Sequence, residues 1–157
     1  MKNICGRLGM VVLIFQIISC TDQYTICNQT KIANLNMAFF TIIPSGESAT
    51  APASLTLNVL NSPDFIYKQK PLVSVVNTGL NPLYDSIVYF IKLSDQAPAD
   101  TVKLKYSNRN QFLSAECGEI PVYDIISATT TANNIDSIKI VQAAVLNQNQ
   151  KNLKIYF

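Results

Sequence analysis

The chain predicts an all-β fold, an antiparallel β-sandwich of the immunoglobulin-like kind, with a small β-barrel as the alternative. Three observations carry this expectation. Several segments alternate apolar and polar residues with a period of two, the period of a half-buried strand. Turn-forming residues punctuate the chain every 8–14 residues, which is sandwich spacing. Past the first twenty residues no segment shows a convincing helical period, and the abundant Asn, Thr, Ser, Ile, Val and Tyr favour strands and turns. A length of 157 residues suits a single main domain.

The elements follow in order. Residues 1–7 carry Lys2 and Arg7 and no acid, and an apolar run from Met10 to Ile18 ends at Ser19-Cys20. This is the charged region, hydrophobic region and small-residue cut site of a secretory signal, an N-terminal signal helix. The run is shorter than the ~20 apolar residues that span a bilayer. Ile17-Ile18-Ser19-Cys20 resembles the bacterial lipobox. That resemblance implies a diacylglyceryl thioether on Cys20, cleavage before it and acylation of the new amine. Covalent lipid on Cys20 is the chain's expected attachment, and no other cofactor is expected. Each buried CH₂ contributes about 0.8 kcal/mol, so two or three acyl chains hold persistently where one does not. Thr21-Asp22-Gln23 lacks an acid directly after the Cys. The expected address is therefore the outer membrane, with its face left open. The expected division is a signal peptide over 1–19, a lipidated tether over 20–35 and a β-sandwich over 36–157.

Met37 to Ile43 is apolar on both faces, as a central strand is. Pro44 to Pro52 reads as a loop. Ser54 to Leu60 alternates, with Leu55, Leu57 and Val59 inward. Phe65–Lys68 and Leu72–Val76 are short pieces split by Lys70-Pro71, which suggests an edge or a bend. Asn77 to Pro82 is turn chemistry, and Ser86 to Leu93 is the strongest strand signal. Thr101 to Tyr106 alternates Val102, Leu104 and Tyr106 against Lys103 and Lys105. Ser107 to Asn110 reads as a tight turn. Gln111–Cys117 and Pro121–Ser127 flank Gly118, and Asn133-Asn134 marks a further turn. Ile135 to Leu146 reads as strand-like, with a helical turn over Val141–Leu146 as the alternative, and Asn152 to Phe157 alternates with Leu153, Ile155 and Phe157 inward.

Of four cysteines, Cys5 leaves with the signal and Cys20 takes lipid. Cys27 and Cys117 remain, an even pair in an oxidising compartment and a candidate disulfide, with two buried free thiols as the alternative.

The Cys20…Cys27 layout, the strand DTVKLKY (Asp100 to Tyr106), Glu116-Cys117-Gly118 followed by Tyr123, and the terminal NLKIYF (Asn152 to Phe157) together resemble a family of small Bacteroidota lipoproteins known as a domain of unknown function. The resemblance spans most of the chain beyond Cys20. It implies a periplasmic or surface β-sandwich lipoprotein with no assigned activity, and it brings no catalytic residues.

Composition narrows the chemistry. The chain has no His, so a Ser-His-Asp triad, a Cys-His pair and a His-ligated metal are excluded within it. It has no Gly-rich phosphate loop. Past residue 19, ten basic residues balance ten acids, and Arg109 is the only Arg there, which speaks against nucleic acid as a partner. The acids fall mostly in turns and at strand ends. Calcium shared by Asp95 and Asp100 across one loop is the metal alternative, weakened by sparse oxygen ligands. Tyr89, Phe90 and Tyr106 read as packing residues rather than a binding face. No catalytic site is expected. The expectation is a non-enzymatic module that touches the bilayer through Cys20 and binds another envelope protein. The alternative is a carrier of a small ligand or glycan in a sandwich or barrel pocket.

Overall fold

The computed structural model describes residues 26–157. The signal peptide, the lipidated Cys20 and the first part of the tether lie outside the described residues. The described chain is all-β, with two sheets facing one another across a continuous apolar core, one of them strongly curled.

Eleven strands are present: β1 (Asn34–Ile43), β2 (Gly46–Ala49), β3 (Leu55–Val59), β4 (Phe65–Lys70), β5 (Val75–Gly79), β6 (Ser86–Lys92), β7 (Asp100–Ser114), β8 (Gly118–Thr130), β9 (Ser137–Ile140), β10 (Ala144–Val145) and β11 (Leu153–Tyr156). One sheet runs β2-β1-β11-β9, with β5 also paired to β1; the other runs β10-β8-β7-β6-β3-β4. β5 pairs with Asn34–Ala38 and β2 with Phe40–Ile43, so the two short strands share β1 between them.

Alternation places the core as the sequence predicts. Leu55 and Leu57 of β3, Val102, Leu104 and Tyr106 of β7, and Leu153 and Ile155 of β11 are buried, while Lys103 and Lys105 point to solvent. β1 is a central strand with two apolar faces. Leu35, Met37 and Phe39 enter the main core, whereas Ala38 and Phe40 form a second cluster with Tyr156 on the outer face.

Four local expectations change. The segment read as a loop after Ile43 contains β2, which folds back on β1 as a short hairpin through Gly46 at φ 135°. Ser107–Asn110 is no turn but the middle of β7, a 15-residue strand whose reversal comes at Ala115–Cys117. Those four residues are polar because both their faces are exposed there, not because the chain reverses. The strand-like stretch over Ile135–Leu146 holds two short strands and no helical turn, β9 in one sheet and β10 in the other. Asn152, fully buried, makes that switch. Its side-chain nitrogen donates to the carbonyls of Gln142 and Ala144, and its carbonyl accepts from the amides of Val141 and Gln142. Finally, within the mainly antiparallel sandwich β1 and β11 pair in parallel, Met37 to Phe40 against Leu153 to Tyr156. Parallel neighbours need a long connection, and more than a hundred residues separate these two.

Lys70-Pro71 does lie at an edge. β4 is the last strand of its sheet, and Leu72 at φ 61° helps turn the chain across to β5 in the other sheet.

Candidate functional site

The candidate residues that fall among the described ones are put to structural use. Cys27 and Cys117 form a disulfide with Cα atoms 4.9 Å apart, closing a span of 90 residues. It ties the segment leading into β1 to the reversal between β7 and β8. Asp100, almost fully buried at the head of β7, accepts from the amides of Asn133 (2.6 Å), Asn134 (2.8 Å) and Ile135 (3.0 Å) and from the Thr131 hydroxyl (2.8 Å). Burial alone would raise its pKa, but these donors outweigh that and hold it below the ordinary carboxylate value. Asp95 faces another way, accepting from the Ser54 hydroxyl and the Gln69 amide. The two acids considered for one cation therefore serve different contacts. Among the described residues no three Cys, Asp or Glu side chains converge as a metal site.

Other acids are engaged as well. Asp124 pairs with Arg109 at 3.4 Å. Glu47 accepts from Lys154 and, at 2.5 Å, from the Tyr156 hydroxyl, which holds its carboxyl below the usual range and pushes the Tyr156 phenol up. The Lys154 and Lys151 ammonium groups stand 4.7 and 4.6 Å from the centre of the Phe40 ring, so the charged groups around Phe40 and Tyr156 on the outer face of the five-stranded sheet are engaged with their neighbours.

The arrangement able to receive something else is an open cleft of about 720 Å³ at the end of the sandwich where β3 and β5 finish and β6 begins. Its apolar walls come from Val59, Leu60, Leu80, Ile87 and Val88, its polar edge from Asn61, Asn81 and Ser86, and Tyr106 lies at its base. Such a mixture, mostly apolar with a few placed polar groups, is the usual lining of a binding site.

One rim is the loop 80–85, and it is fastened carbonyl by carbonyl. The Tyr123 hydroxyl donates to the Leu80 carbonyl at 2.8 Å, the Tyr106 hydroxyl to that of Asn81 at 3.0 Å, and the Asn108 amide to that of Pro82 at 2.8 Å. The Tyr106 amide donates to the Asp85 carbonyl, and the Asn81 side chain caps the Leu83 amide. The two tyrosine rings meet edge to face with centroids 5.6 Å apart. Burial pushes both phenols above their ordinary pKa, opposed at Tyr106 by its bond to Asn81. The result is a fastened loop in which Leu80 packs into the core while Leu83, 86% exposed, and Tyr84, 63% exposed, stand out to solvent.

Reading Asn77 to Pro82 as turn chemistry missed this rim. The signal was present in Leu80, Leu83 and Tyr84, three large apolar residues set among Asn, Gly and Pro where a solvated turn would use small polar ones. Tyr89 and Tyr106 are buried packing residues as expected, although Tyr106 also holds the rim.

No curated protein matches the chain, and no solved structure matches it. A family model does match, over residues 54–157, which takes in the Asp100–Tyr106 strand, Glu116-Cys117-Gly118, Tyr123 and the closing strand, and leaves Cys20 and Cys27 before it. The described cleft is built entirely from the matched segment, and the chain belongs to the family of unknown function DUF6452.

Proposed function

We propose that the chain is the precursor of a bacterial outer-membrane lipoprotein of the Bacteroidota type, cut before Cys20 and anchored by lipid on that residue. Its folded part is a non-enzymatic interaction module. The observation that carries the binding role is the cleft, with Leu60, Leu83 and Tyr84 exposed on a rim that hydrogen bonds keep fixed. A preformed apolar site loses little conformational freedom on binding, so it suits an apolar segment of another envelope protein. The structural engagement of Asp95, Asp100, Asp124 and Glu47 supports a role without catalysis.

A photo-crosslinking residue in place of Tyr84, introduced in the native host, tests this. A discrete protein adduct is expected from position 84, lost when Leu60→Asp is added, and none from Gln96 at the other end of the sandwich. No adduct, or the same adducts from both positions, defeats the proposal.

A second reading is a carrier of a small apolar ligand or glycan segment. The cleft volume favours it, lying within the ~300–1,000 Å³ typical of small-molecule sites. Native mass spectrometry of protein released gently from its host distinguishes the two, since a carrier retains a non-protein mass that Leu60→Asp removes.

A further inference from the structure

The disulfide, the cleft and the tether all lie at one end of the sandwich. β1 begins there, β3 and β5 end there, β6 begins there, and the β7–β8 hairpin extends beyond the start of β6, from Tyr106 out to its reversal at Ala115–Cys117. The 93–99 loop, between β6 and β7, marks the opposite end.

On the lipid-anchor reading proposed above, the six residues 21–26 connect Cys20 to Cys27, seven backbone steps and so a leash of at most about 25 Å. Cys27 is fixed to the hairpin reversal through Cys117. The 15 residues of β7 separate that reversal from the opposite end by up to ~50 Å of strand. A leash of half that length cannot let the 93–99 end face the bilayer. Without the disulfide the first firmly buried residue is Ala33, thirteen residues from Cys20, and a reach of about 45 Å would allow any orientation. The disulfide thus selects which surfaces can meet the membrane.

Exposed apolar side chains choose among the surfaces that remain. Ile26 (90% exposed) precedes the disulfide, Phe112 (64%) stands near the hairpin reversal, Leu60 and Tyr84 line the cleft, Leu83 adjoins Tyr84 on the rim loop, and Phe65, paired with Asn58 near the end of β3, lies at the same end. Exposure alone would not decide, because Ile42 and Leu72 are exposed towards the other end. The leash decides, and the apolar end is the one it holds down. Aromatic and aliphatic side chains on a lipid-anchored domain favour the headgroup boundary, where Tyr and Phe place a ring in the apolar layer.

We propose that the hairpin-and-cleft end of this protein rests on the bilayer, with Ile26, Phe112, Leu83 and Tyr84 in the interface and the disulfide enforcing that orientation. The cleft then opens at the membrane surface, and its protein partner is one that presents an apolar segment at that level.

The chain contains no Trp, so a single introduced Trp is a unique reporter. Full-length, host-processed protein carrying Phe112→Trp, Leu83→Trp or Gln96→Trp is reconstituted into phosphatidylcholine vesicles, with and without brominated acyl chains. Flotation with the vesicles reads the anchor, and bromine quenching reads the orientation. Expected are flotation of all three variants and quenching at least fivefold stronger at positions 112 and 83 than at 96. Flotation with equal quenching at the three positions, stronger quenching at 96, or none at 112 and 83 overturns the orientation and leaves the anchor standing. Failure to float overturns both. Two tip reporters guard against one that disturbs the fold.

Discussion

Asp100 shows how much one side chain can organise. Its two carboxylate oxygens gather three successive amides and a hydroxyl, and so fasten the turn after β8 to the head of β7. Asn133 and Asn134 complete the strap by donating to the Ala99 and Pro98 carbonyls, both at 2.7 Å. An amide in place of the carboxylate would turn an NH₂ group towards backbone donors. Asp100→Asn is therefore expected to cost about 3 kcal/mol, the scale of losing hydrogen bonds to an ionised acceptor, read from urea unfolding. The pH dependence has a definite sign. The folded-state pKa lies below the ordinary value of 3.8, so the stabilisation is complete above that value and is lost as pH falls from it through the folded value. Unfolding curves of wild type and Asp100→Asn should run parallel near neutrality and converge on acidification. Curves that stay parallel would show that the carboxylate is not the source. The sequence marked Asp100 as a turn-associated acid and Asn133-Asn134 as a turn. It could not show that one serves the other, because 33 residues separate Asp100 from Asn133 and only the fold brings them together.

The elements whose positions were legible are those with clean alternation into one core. β3, the first half of β7 and β11 each put their predicted residues inward. Where the pattern breaks, a different physical demand has intervened. In the middle of β7, Ser107–Asn110 are exposed on both faces while the β8 residues paired with them, Val122 and Tyr123 among them, supply the core, so that stretch looks like a turn. β9 and β10 sit in different sheets, a change imposed by the buried Asn152 side chain and invisible to a local period. The cleft rim was hidden for the opposite reason. Its shape depends on Tyr106, Asn108 and Tyr123, which come 25 to 43 residues after the carbonyls they hold. At this scale the disulfide makes the testable statement. Replacing Cys27 and Cys117 by Ser together should lower stability by up to about 4–5 kcal/mol, the chain-entropy ceiling for a span of 90 residues. Equal stability of the double variant and the oxidised protein in thermal unfolding would mean that the hairpin reversal is held without the bond.

For the molecule as a whole, basic and acidic residues balance past residue 19, so on the proposed reading the lipid on Cys20, and not net charge, is what would hold the chain at a membrane. Cys20→Ala is expected to leave an unacylated chain that partitions with the soluble fraction after cell lysis, against membrane recovery of the parent. An undiminished membrane fraction and unchanged palmitate labelling in that variant would remove the anchor from the account.

The parallel pairing of β1 with β11 has a consequence for how the chain acquires its shape. β1 takes a neighbour from residues 153–156, so the five-stranded sheet stays unfinished until that distant segment has been made. Partners so distant along the chain raise the contact order, which slows folding and prolongs the life of unpaired strand edges. Until that pairing forms, β1 and β11 each present an open edge, and the sheet closes as one of the last events of folding.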